Sequence, residues 1–425
     1  MTESPWFSFV HCADLHLDSP FEGLHALEPD IAQVLRRATF QAFDNIIDLA
    51  VKEKAAFLIV AGDVYDSAHR SLSAQLRFRE SLRRAAEAGV QCFVAHGNHD
   101  PLSGWEAELA LPEGVHRFGG DRVEQFAVRQ GDEILARVYG ISYPTREIKD
   151  NLVPRFPRKV DGPFAIGVLH GNVGGDPNHD NYAPCSLSDL VSCPMDYWAL
   201  GHIHNARILR EEAPCVVYPG TPQGRNVRET GARGCFLVRV DAGGRPVPEF
   251  VPTDTVRWFV ETLDISALDN LNDLLEELAR LKEDIRTRAA GRGAVWRLSL
   301  TGRGRLHTLL RKLDLERDLT QPLREGEAGQ TAFVWLESTF LRTRPPVDLA
   351  RRRQMQDFIG DLLRAADHLR HDPDPPRVLQ EVLSRRPEHR LLAVRLAQLA
   401  SGDWLTLLEE AESLALDLLL EEEED

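Results

Sequence analysis

Acidic, amide and imidazole side chains recur in this sequence directly after short apolar runs. The runs are FSFVHCA, AFLIVAG, CFVAHG, FAIGVL and DYWALG, and the residues that follow them are Asp14, His16, Asp63, Asn98, His170, His202 and His204. Carboxylate, amide and imidazole groups are ligands that borderline-hard divalent cations take in proteins. Because each of the separate segments supplies at least one such ligand, we predict a metal site.

The spacing within these segments suits shared coordination. In an extended chain, residues two apart project to the same side, so Asp14 can act together with His16, and His202 with His204. Asp63 follows Gly62 and offers a carboxylate able to bridge two cations. The set is large enough for two ions, with positions left open for water and substrate.

The chemistry of these ligands indicates both the metal and the reaction. A mixed set favours Mn²⁺, leaves Fe or Zn²⁺ as alternatives, and disfavours an all-oxygen Mg²⁺ or Ca²⁺ site. Two cations about 3.5–4 Å apart bind a phosphate diester, acidify a bridging water and stabilise the charge of the transition state. We therefore expect hydrolysis of a phosphoester.

The elements that must position these residues alternate between strand and helix over residues 6–250. The run at 57–62 is strand-like, residues 72–88 have helical periodicity, and the run at 92–97 is strand-like again. Such alternation predicts an α/β domain. In an open α/β sheet, ligands bind at the carboxyl ends of the strands, so this fold would bring the separate segments to one edge.

The pattern changes after residue 255. Strand-like RWFVETLDI, a helix with apolar positions from Leu268 to Ile285, and strand-like AVWRLSL and AFVWLESTFL indicate a small α+β module. Pro345 and Pro346 then precede a segment rich in leucine and arginine that we interpret as helical. We predict three domains, over residues 1–250, 251–345 and 346–425.

The composition limits the context in which the protein works. The 425 residues carry a formal net charge of −16, which is unusual for a nucleic-acid-binding protein, although a local basic surface can coexist with an acidic total. The six cysteines are scattered without a CxxC pair, so we expect reduced core residues and neither a disulfide framework nor a zinc ribbon. No signal peptide and no apolar run of about 18 residues is evident, and we expect a cytoplasmic protein without membrane contact.

The motifs DLH, GDVYD, GNHD, LHGN and GHIH occur in the order found in the calcineurin-like metallophosphoesterases, a resemblance that spans residues 1–250. It implies an α/β fold built as a four-layer αββα sandwich, followed by a small α+β cap domain and a helical C-terminal tail. It also implies two ions, one held by Asp14, His16, Asp63 and His204 and the other by Asp63, Asn98, His170 and His202. His99 would be the catalytic histidine, with Asp100 orienting its ring. The other histidines of this region are interpreted as surface or supporting residues: His11, His25, His69, His96, His116 and His179.

A narrower resemblance lies within that superfamily. DLHLDSPFEGL at 14–24 and YPGTPQGRNVRETGARGCFLV at 218–238 resemble the SbcD-type DNA repair exonucleases, and most closely their YhaO-like bacterial branch. Protein phosphatases of the superfamily show GDxVDRG where this chain has GDVYDSAHR, which argues against a phosphoprotein substrate. Some relatives carry a histidine where this chain has Asp66, so the balance of exonuclease and endonuclease activity does not transfer.

The resemblance also implies partners, namely DNA, an SMC-like coiled-coil ATPase of the YhaN type, and a second copy of the chain in a homodimer. The candidates for DNA contact are Arg225 and Arg228 in TPQGRNVRE, and Arg303 and Arg305 in the TGRGR loop, because arginine forks bind phosphates bidentately. Exposed arginines without a special role are the alternative. The helical tail either packs on the preceding module or docks the ATPase, and both interpretations stay open.

Three functions compete at this point. The first is a Mn²⁺-dependent DNA exonuclease or endonuclease that acts in DNA repair with the ATPase. The second is a phosphodiesterase for a small substrate such as a cyclic nucleotide, and the third is a scaffold subunit with a vestigial metal site. The modules after residue 250 favour the nuclease, because a small-molecule enzyme needs neither a cap nor a docking tail. The complete ligand set argues against the scaffold.

Overall fold

The structure is a computed structural model of the 425-residue chain, and it describes residues 6–19, 29–66, 71–104, 109–160, 162–176, 180–371 and 401–421. The strands are β1 (Phe7–Cys12), β2 (Phe57–Ala61), β3 (Gln91–Ala95), β4 (Val115–Arg117), β5 (Glu124–Gln130), β6 (Glu133–Gly140), β7 (Ala165–His170), β8 (Tyr197–Gly201), β9 (Arg207–Arg210), β10 (Cys215–Tyr218), β11 (Gly234–Val240), β12 (Pro246–Pro252), β13 (Val256–Asp264), β14 (Gly293–Arg303) and β15 (Val334–Arg344).

The helices are α1 (Pro29–Lys52), α2 (Leu72–Glu87), α3 (Leu187–Val191), α4 (Leu271–Ala289), α5 (His307–Leu310), α6 (Gln321–Arg324), α7 (Leu349–Gln354), α8 (Phe358–Arg370) and α9 (Ser401–Glu421). Helix α2 begins where predicted, because the side chain of Ser71 accepts a hydrogen bond from the Ala74 amide and satisfies a free donor of the first turn. Its chain reverses at Gly89, whose φ of 88° lies in the left-handed region.

Two six-stranded sheets form the body of the protein. The first has the order β12-β11-β1-β2-β3-β4, with β1 to β4 parallel and β11 antiparallel to β1. The second has the order β5-β6-β7-β8-β10-β9, with β6, β7, β8 and β10 parallel. The central strands are continuous apolar runs such as FLIVA, which is buried along its whole length, as expected for strands covered on both faces.

Three apolar clusters join these sheets and helices into layers. The outer face of the first sheet packs against α1 and α2, through residues such as Phe43 and Leu82. The inner faces of the two sheets share a second cluster, in which Phe9 stacks on Phe57 with ring centroids 4.7 Å apart. The outer face of the second sheet is covered by α3 and adjoining segments around Trp198. The predicted αββα sandwich is therefore confirmed.

The third sheet has three strands in the order β13-β14-β15 and corresponds to the predicted α+β module. The described chain divides into two compact units, one formed by residues 1–261, 277–298 and 314–339 and the other by 262–276, 299–313 and 340–425. Within the first unit, Ile31 and Leu35 of α1 pack with Trp258 and Trp335. The predicted division at residues 250 and 345 stays a prediction.

The predicted helical tail is represented by α7, α8 and α9 in the second unit. Ile359 and Leu363 of α8 pack against Leu416 of α9, and buried Glu412 forms ion pairs with Arg353 and Arg370. Residues 372–400 of the predicted tail lie outside the described residues. Among the helices that the structure describes, none combines the length and apolar character needed to cross a bilayer.

Candidate metal centre

Four of the predicted ligands follow neighbouring parallel strands of the first sheet. Asp14 and His16 come after β1, Asp63 after β2 and Asn98 after β3, so they emerge at the same edge. All four are buried, and the most accessible of them, Asn98, is 4% exposed. The first sheet therefore supplies three carboxylate or amide groups and one imidazole, all buried, to the site.

The other three ligands come from the second sheet. His170 is the last residue of β7, and His202 and His204 follow its parallel neighbour β8. The two sheets meet here through the His202 amide, which donates to Asp14 Oδ1 at 3.0 Å. The structure thus brings all the predicted metal ligands into one region between the sheets.

The ligand atoms form two overlapping groups. Asp14, His16 and His204 place one ligand atom each within 4.8 Å of one another, and so do Asp14, Asp63 and His170. Asp14 belongs to both groups, and Asp63 Oδ2 lies 3.9 Å from His16 Nε2 and 3.3 Å from His170 Nε2. Asp63 therefore lies between the two groups, whereas Asp14 Oδ1 lies 4.0 Å from His170 Nδ1, the nitrogen that donates to the Ala61 carbonyl.

Hydrogen bonds determine which imidazole nitrogens face the centre. His170 Nδ1 donates to the Ala61 carbonyl at 3.0 Å, and His202 Nε2 donates to the Asp180 carbonyl at 2.7 Å. Because a carbonyl oxygen only accepts, the opposite nitrogen of each neutral ring carries a lone pair. The opposite nitrogens, His170 Nε2 and His202 Nδ1, lie 3.0 and 3.2 Å from Asn98 Oδ1, so three potential ligand atoms lie together.

His204 follows the same pattern on the other side of the centre. Its Nδ1 donates to Glu229 Oε1 at 2.7 Å, and its Nε2 lies 3.3 Å from Nε2 of His16. The two Nε2 atoms are close enough for His16 to donate a proton to His204, and a divalent cation in place of that proton would take both nitrogens as ligands. The donor set therefore fits a divalent metal centre.

Asp63 and His170 influence each other's ionisation. Burial raises the pKa of Asp63, but the neighbouring His170 imidazole outweighs this effect and holds the pKa well below its usual range. Burial lowers the pKa of His170, but the charges of Asp63 and Asp14 raise it to about 9. In the protein alone, His170 therefore carries a proton at neutral pH, and a cation that binds must displace it.

His99 lies at the accessible edge of the centre, with 31% of its side chain exposed. Its backbone amide donates to Asp63 Oδ1 at 2.9 Å, and its ring contacts the His16 ring edge-on with centroids 4.9 Å apart. Asp66 Oδ1 lies 3.4 Å from His99 Nδ1. Burial lowers the pKa of His99, but the hydrogen bond with Asp66 brings it above its usual value.

Asp100, which the sequence assigned to orienting the His99 ring, lies beneath the turn. Its Oδ2 accepts from His96 Nδ1 and from the Val64 amide, both at 2.9 Å, and its Oδ1 accepts from the Gly97 amide at 2.8 Å. These hydrogen bonds hold the carboxylate under the loop, whereas Asp66 is at hydrogen-bond distance from the His99 ring. Asp100 therefore anchors the turn that carries Asn98 and His99.

Four of the ligands have left-handed backbone conformations, which are unfavourable for residues with a Cβ atom. The φ angles are 51° at Asp14, 42° at His16, 50° at Asp63 and 104° at His202. A close approach adds a further constraint, because a Cβ atom at Gly97 would lie 2.7 Å from His170 Nε2 and would overlap Asp63 Oδ1. The fold thus holds these side chains at a backbone strain that sequence patterns do not reveal.

The predicted DNA-contact residues of the TPQGRNVRE segment differ in their surroundings. The side chain of Arg225 is only 12% exposed, its Nη2 lies 3.4 Å from Glu229 Oε1, and its Nη1 donates to Ser19 Oγ at 3.2 Å. Arg228 is exposed. Arg228 is therefore accessible to a phosphate, whereas the Arg225 guanidinium is largely buried beside Glu229.

The arginines of the TGRGR loop lie in the second unit. Arg305 is 77% exposed and its Nη1 is 3.2 Å from Asp269 Oδ1, whereas Arg303 is half-buried and its amide donates to Ser266 Oγ at 3.0 Å. The loop turns at Gly302, which has a φ of 89°. Arg305 is therefore accessible to a phosphate.

Other predicted supporting residues are structural. His11 is fully buried and hydrogen bonds to the Tyr197 hydroxyl at 3.0 Å, and His116 stacks on Phe126 with centroids 4.7 Å apart. All six cysteines are free and buried, which confirms the interpretation as reduced core residues. His25, His69 and His179 lie outside the described residues.

Comparison with known proteins connects this geometry to a family. Residues 7–206 match the family described as Calcineurin-like phosphoesterase, and residues 258–344 match the one described as Metallophosphoesterase YhaO, middle domain. The chain is 36% identical over 391 residues to the uncharacterized metallophosphoesterase YhaO of Bacillus subtilis, which covers 92% of this chain and 93% of that protein.

Relatives with names that refer to DNA or to a nuclease are more distant. DNA double-strand break repair protein Mre11 of Aeropyrum pernix is 29% identical over 254 residues, covering 57% of this chain and 60% of that protein. One subunit of the nuclease SbcCD of Bacillus subtilis is 24% identical over 341 residues, covering 67% of this chain and 84% of that protein. The resemblance carried by the motifs is confirmed: the chain belongs to the calcineurin-like metallophosphoesterases, contains a YhaO middle domain, and is a metal-dependent phosphodiesterase.

Proposed function

We propose that this phosphodiesterase is a Mn²⁺-dependent DNA nuclease, with exonuclease or endonuclease activity, that acts in DNA repair. The observation that carries the proposal is the convergence of the predicted metal ligands, with half-buried His99 at their edge. The mixture of imidazole, carboxylate and amide ligands favours Mn²⁺ over an all-oxygen Mg²⁺ site.

The roles of the residues follow from their positions. A pair of divalent ions, when bound, orients a phosphate diester and supplies a hydroxide nucleophile. Asp14, His16, Asp63 and His204 would hold one ion, and Asp63, Asn98, His170 and His202 would hold the other. His99 is accessible to the substrate, and its pKa is raised above the usual value, so it can hold a proton for the leaving oxygen. Asp66 orients the His99 ring.

DNA is the proposed substrate because the more distant relatives include a double-strand break repair protein and part of a nuclease. Arg228 and Arg305 are exposed and carry the fixed forks that bind phosphate oxygens. Exposed arginines of this kind can attract DNA locally although the net charge of the chain is negative. The competing function is hydrolysis of small nucleotides, and the experiment below includes a cyclic nucleotide to test it.

We also propose partners on the basis of these relatives. One of them is named as part of a larger nuclease, which supports a complex of this chain with an SMC-like coiled-coil ATPase of the YhaN type. Helix α9 exposes Leu405, Leu414 and Leu418, which are each at least half accessible and suit an apolar contact with a helix of that partner. A homodimer is a further proposal that rests on family resemblance.

The test is a comparison of substrates with the purified full chain. End-labelled linear duplex DNA, single-stranded DNA and a cyclic nucleotide are each incubated with Mn²⁺ or with EDTA. We expect Mn²⁺-dependent degradation of DNA and a loss of this activity in His99→Ala. The matched control is His371→Ala, which removes an exposed histidine at the end of α8.

The outcomes separate the candidate functions. Turnover of the cyclic nucleotide without degradation of DNA would replace the nuclease by a small-substrate phosphodiesterase. A His99→Ala variant that keeps full activity would remove the proposed role of this histidine. If neither substrate is hydrolysed although two ions are bound, a scaffold protein becomes the better description.

A further inference from the structure

Glu229 is a buried carboxylate beside the metal centre that no sequence motif predicted. It lies in the irregular segment between β10 and β11, and its side chain is 7% exposed. Its Oε1 accepts from His204 Nδ1 at 2.7 Å, and its Oε2 accepts from the Arg225 amide at 2.7 Å. Both oxygens are therefore held in place by donors of the protein.

The hydrogen bond from His204 fixes the state of that imidazole. A carboxylate only accepts, so His204 carries its proton on Nδ1 and presents a lone pair on Nε2. That lone pair points to the centre, where Nε2 of His16 lies 3.3 Å away. Without Glu229, the ring could rotate or take the opposite tautomer, and the ligand atom would no longer be preorganised.

The charge of Glu229 is balanced inside the protein. Arg225 contacts it with both its backbone amide and its guanidinium, whose Nη2 lies 3.4 Å from Oε1. The guanidinium also donates to Ser19 Oγ, which in turn lies 3.4 Å from Asp66 Oδ2. A buried carboxylate that has both a cationic partner and a backbone donor is well satisfied and keeps its position.

We propose that Glu229 is a positioning residue that sets the affinity of the one ion held by His204. This inference rests on the proposed two-ion centre and adds to it a residue that contacts neither the ions nor the substrate. Carboxylates that accept a hydrogen bond from a metal-bound histidine typically change metal affinity by about 10- to 100-fold when removed. The other ion has no His204 ligand, and its affinity stays unchanged.

Mn²⁺ binding measured on the full chain tests this inference directly. Isothermal titration calorimetry and Mn²⁺ electron paramagnetic resonance give the number of bound ions and the affinity of each. We expect Glu229→Ala to lower the affinity for one ion by about 10- to 100-fold. The affinity for the other ion should stay within a factor of about three. The affinity of Glu229→Gln for this ion should lie between those of the unsubstituted chain and Glu229→Ala, because the glutamine amide oxygen still accepts from His204 Nδ1 but carries no charge.

The chain offers a matched control in Glu327. This residue is also a buried glutamate with cationic partners, Lys282 and Arg286, and it accepts from the backbone amide of Val334 at 2.6 Å. It has the same kind of hydrogen bonds as Glu229 but contacts no predicted metal ligand. Glu327→Ala should bind both ions as the unsubstituted chain does, even if its melting temperature falls.

The results distinguish this inference from the proposed function. The positioning role would be overturned if Glu229→Ala binds both ions with unchanged affinity, or if its affinity for both ions falls by the same factor. Either result would leave the metal centre itself in place. If Glu229→Ala does not fold, Glu229→Gln decides the question, because unchanged binding of both ions in that variant overturns the inference. An unsubstituted chain that binds fewer than two ions would refute the two-ion centre and this inference together.

Discussion

Mn²⁺ binding should weaken as the solution becomes more acidic, because an ion competes with the proton on His170. Burial lowers the pKa of His170, but Asp63 and Asp14 raise it to about 9. The pKa of Asp63 lies well below its usual range, so this carboxylate stays ionised and releases no proton. For one competing proton, the apparent affinity falls by about tenfold per pH unit, so roughly 100-fold from pH 8.5 to pH 6.5.

The assay is a calorimetric titration of the metal-free chain with Mn²⁺ at several pH values between these limits. Buffers with different ionisation enthalpies give the number of protons released with each ion. We expect one ion to release close to one proton from His170 at pH 7, with any deprotonation of bound water adding to this number. His99→Ala serves as the control, because it removes another histidine of the centre that is not a predicted ligand.

The refuting result is a flat profile. If the affinity of both ions changes less than about threefold over two pH units, no buried imidazolium is displaced and the pairing of Asp63 with His170 is misassigned. Additional proton release from water steepens the profile and cannot produce a flat one. A slope that disappears in His99→Ala would assign the proton to His99 instead.

Three further predictions concern the turn at Gly97, the proposed proton donor His99 and the DNA-contact arginines. Gly97→Ala should weaken Mn²⁺ binding by at least about 100-fold with an unchanged circular dichroism spectrum, because its Cβ would displace Asp63 and His170; calorimetry of this variant provides the check. His99→Ala should keep both ions but lose about 10²- to 10⁴-fold in turnover, measured at saturating Mn²⁺. Arg228→Ala and Arg305→Ala should each weaken DNA binding and reduce the slope of its salt dependence by about one, and unchanged slopes would remove these residues from the DNA path.

The sequence predicted the ligands because the rule behind the prediction is topological. Parallel strands such as β1, β2 and β3 end at the same edge, so a polar residue after each apolar run must approach the others. The same argument applies to His170 and His202 in the second sheet. Apolar alternation also located helix α2 within one residue and the strands of the third sheet within three residues.

Details of the centre depend on turns and could not be predicted in this way. Asp100 is next to His99 in the sequence, whereas Asp66 approaches His99 only in the fold. The path of the turn, which the sequence pattern does not give, brings Asp66 to the His99 ring. Glu229 is separated from His204 by 25 residues, and the segment between them includes irregular chain without a periodic signal. The TPQGRNVRE segment predicted a DNA contact for Arg225 but gave no sign that the Arg225 guanidinium lies beside buried Glu229.

The claim on which the account depends is that strand ends from two sheets enclose a pair of cations. A crystal structure of the chain soaked with Mn²⁺, with anomalous data collected near the manganese edge, measures this directly. We predict two anomalous peaks about 3.5–4 Å apart, with Asp63 between them and Asp14, Asn98, His170 and His204 among the ligands. Peaks elsewhere on the surface, or no peak among these residues, would contradict the metal centre and the nuclease proposal that follows from it.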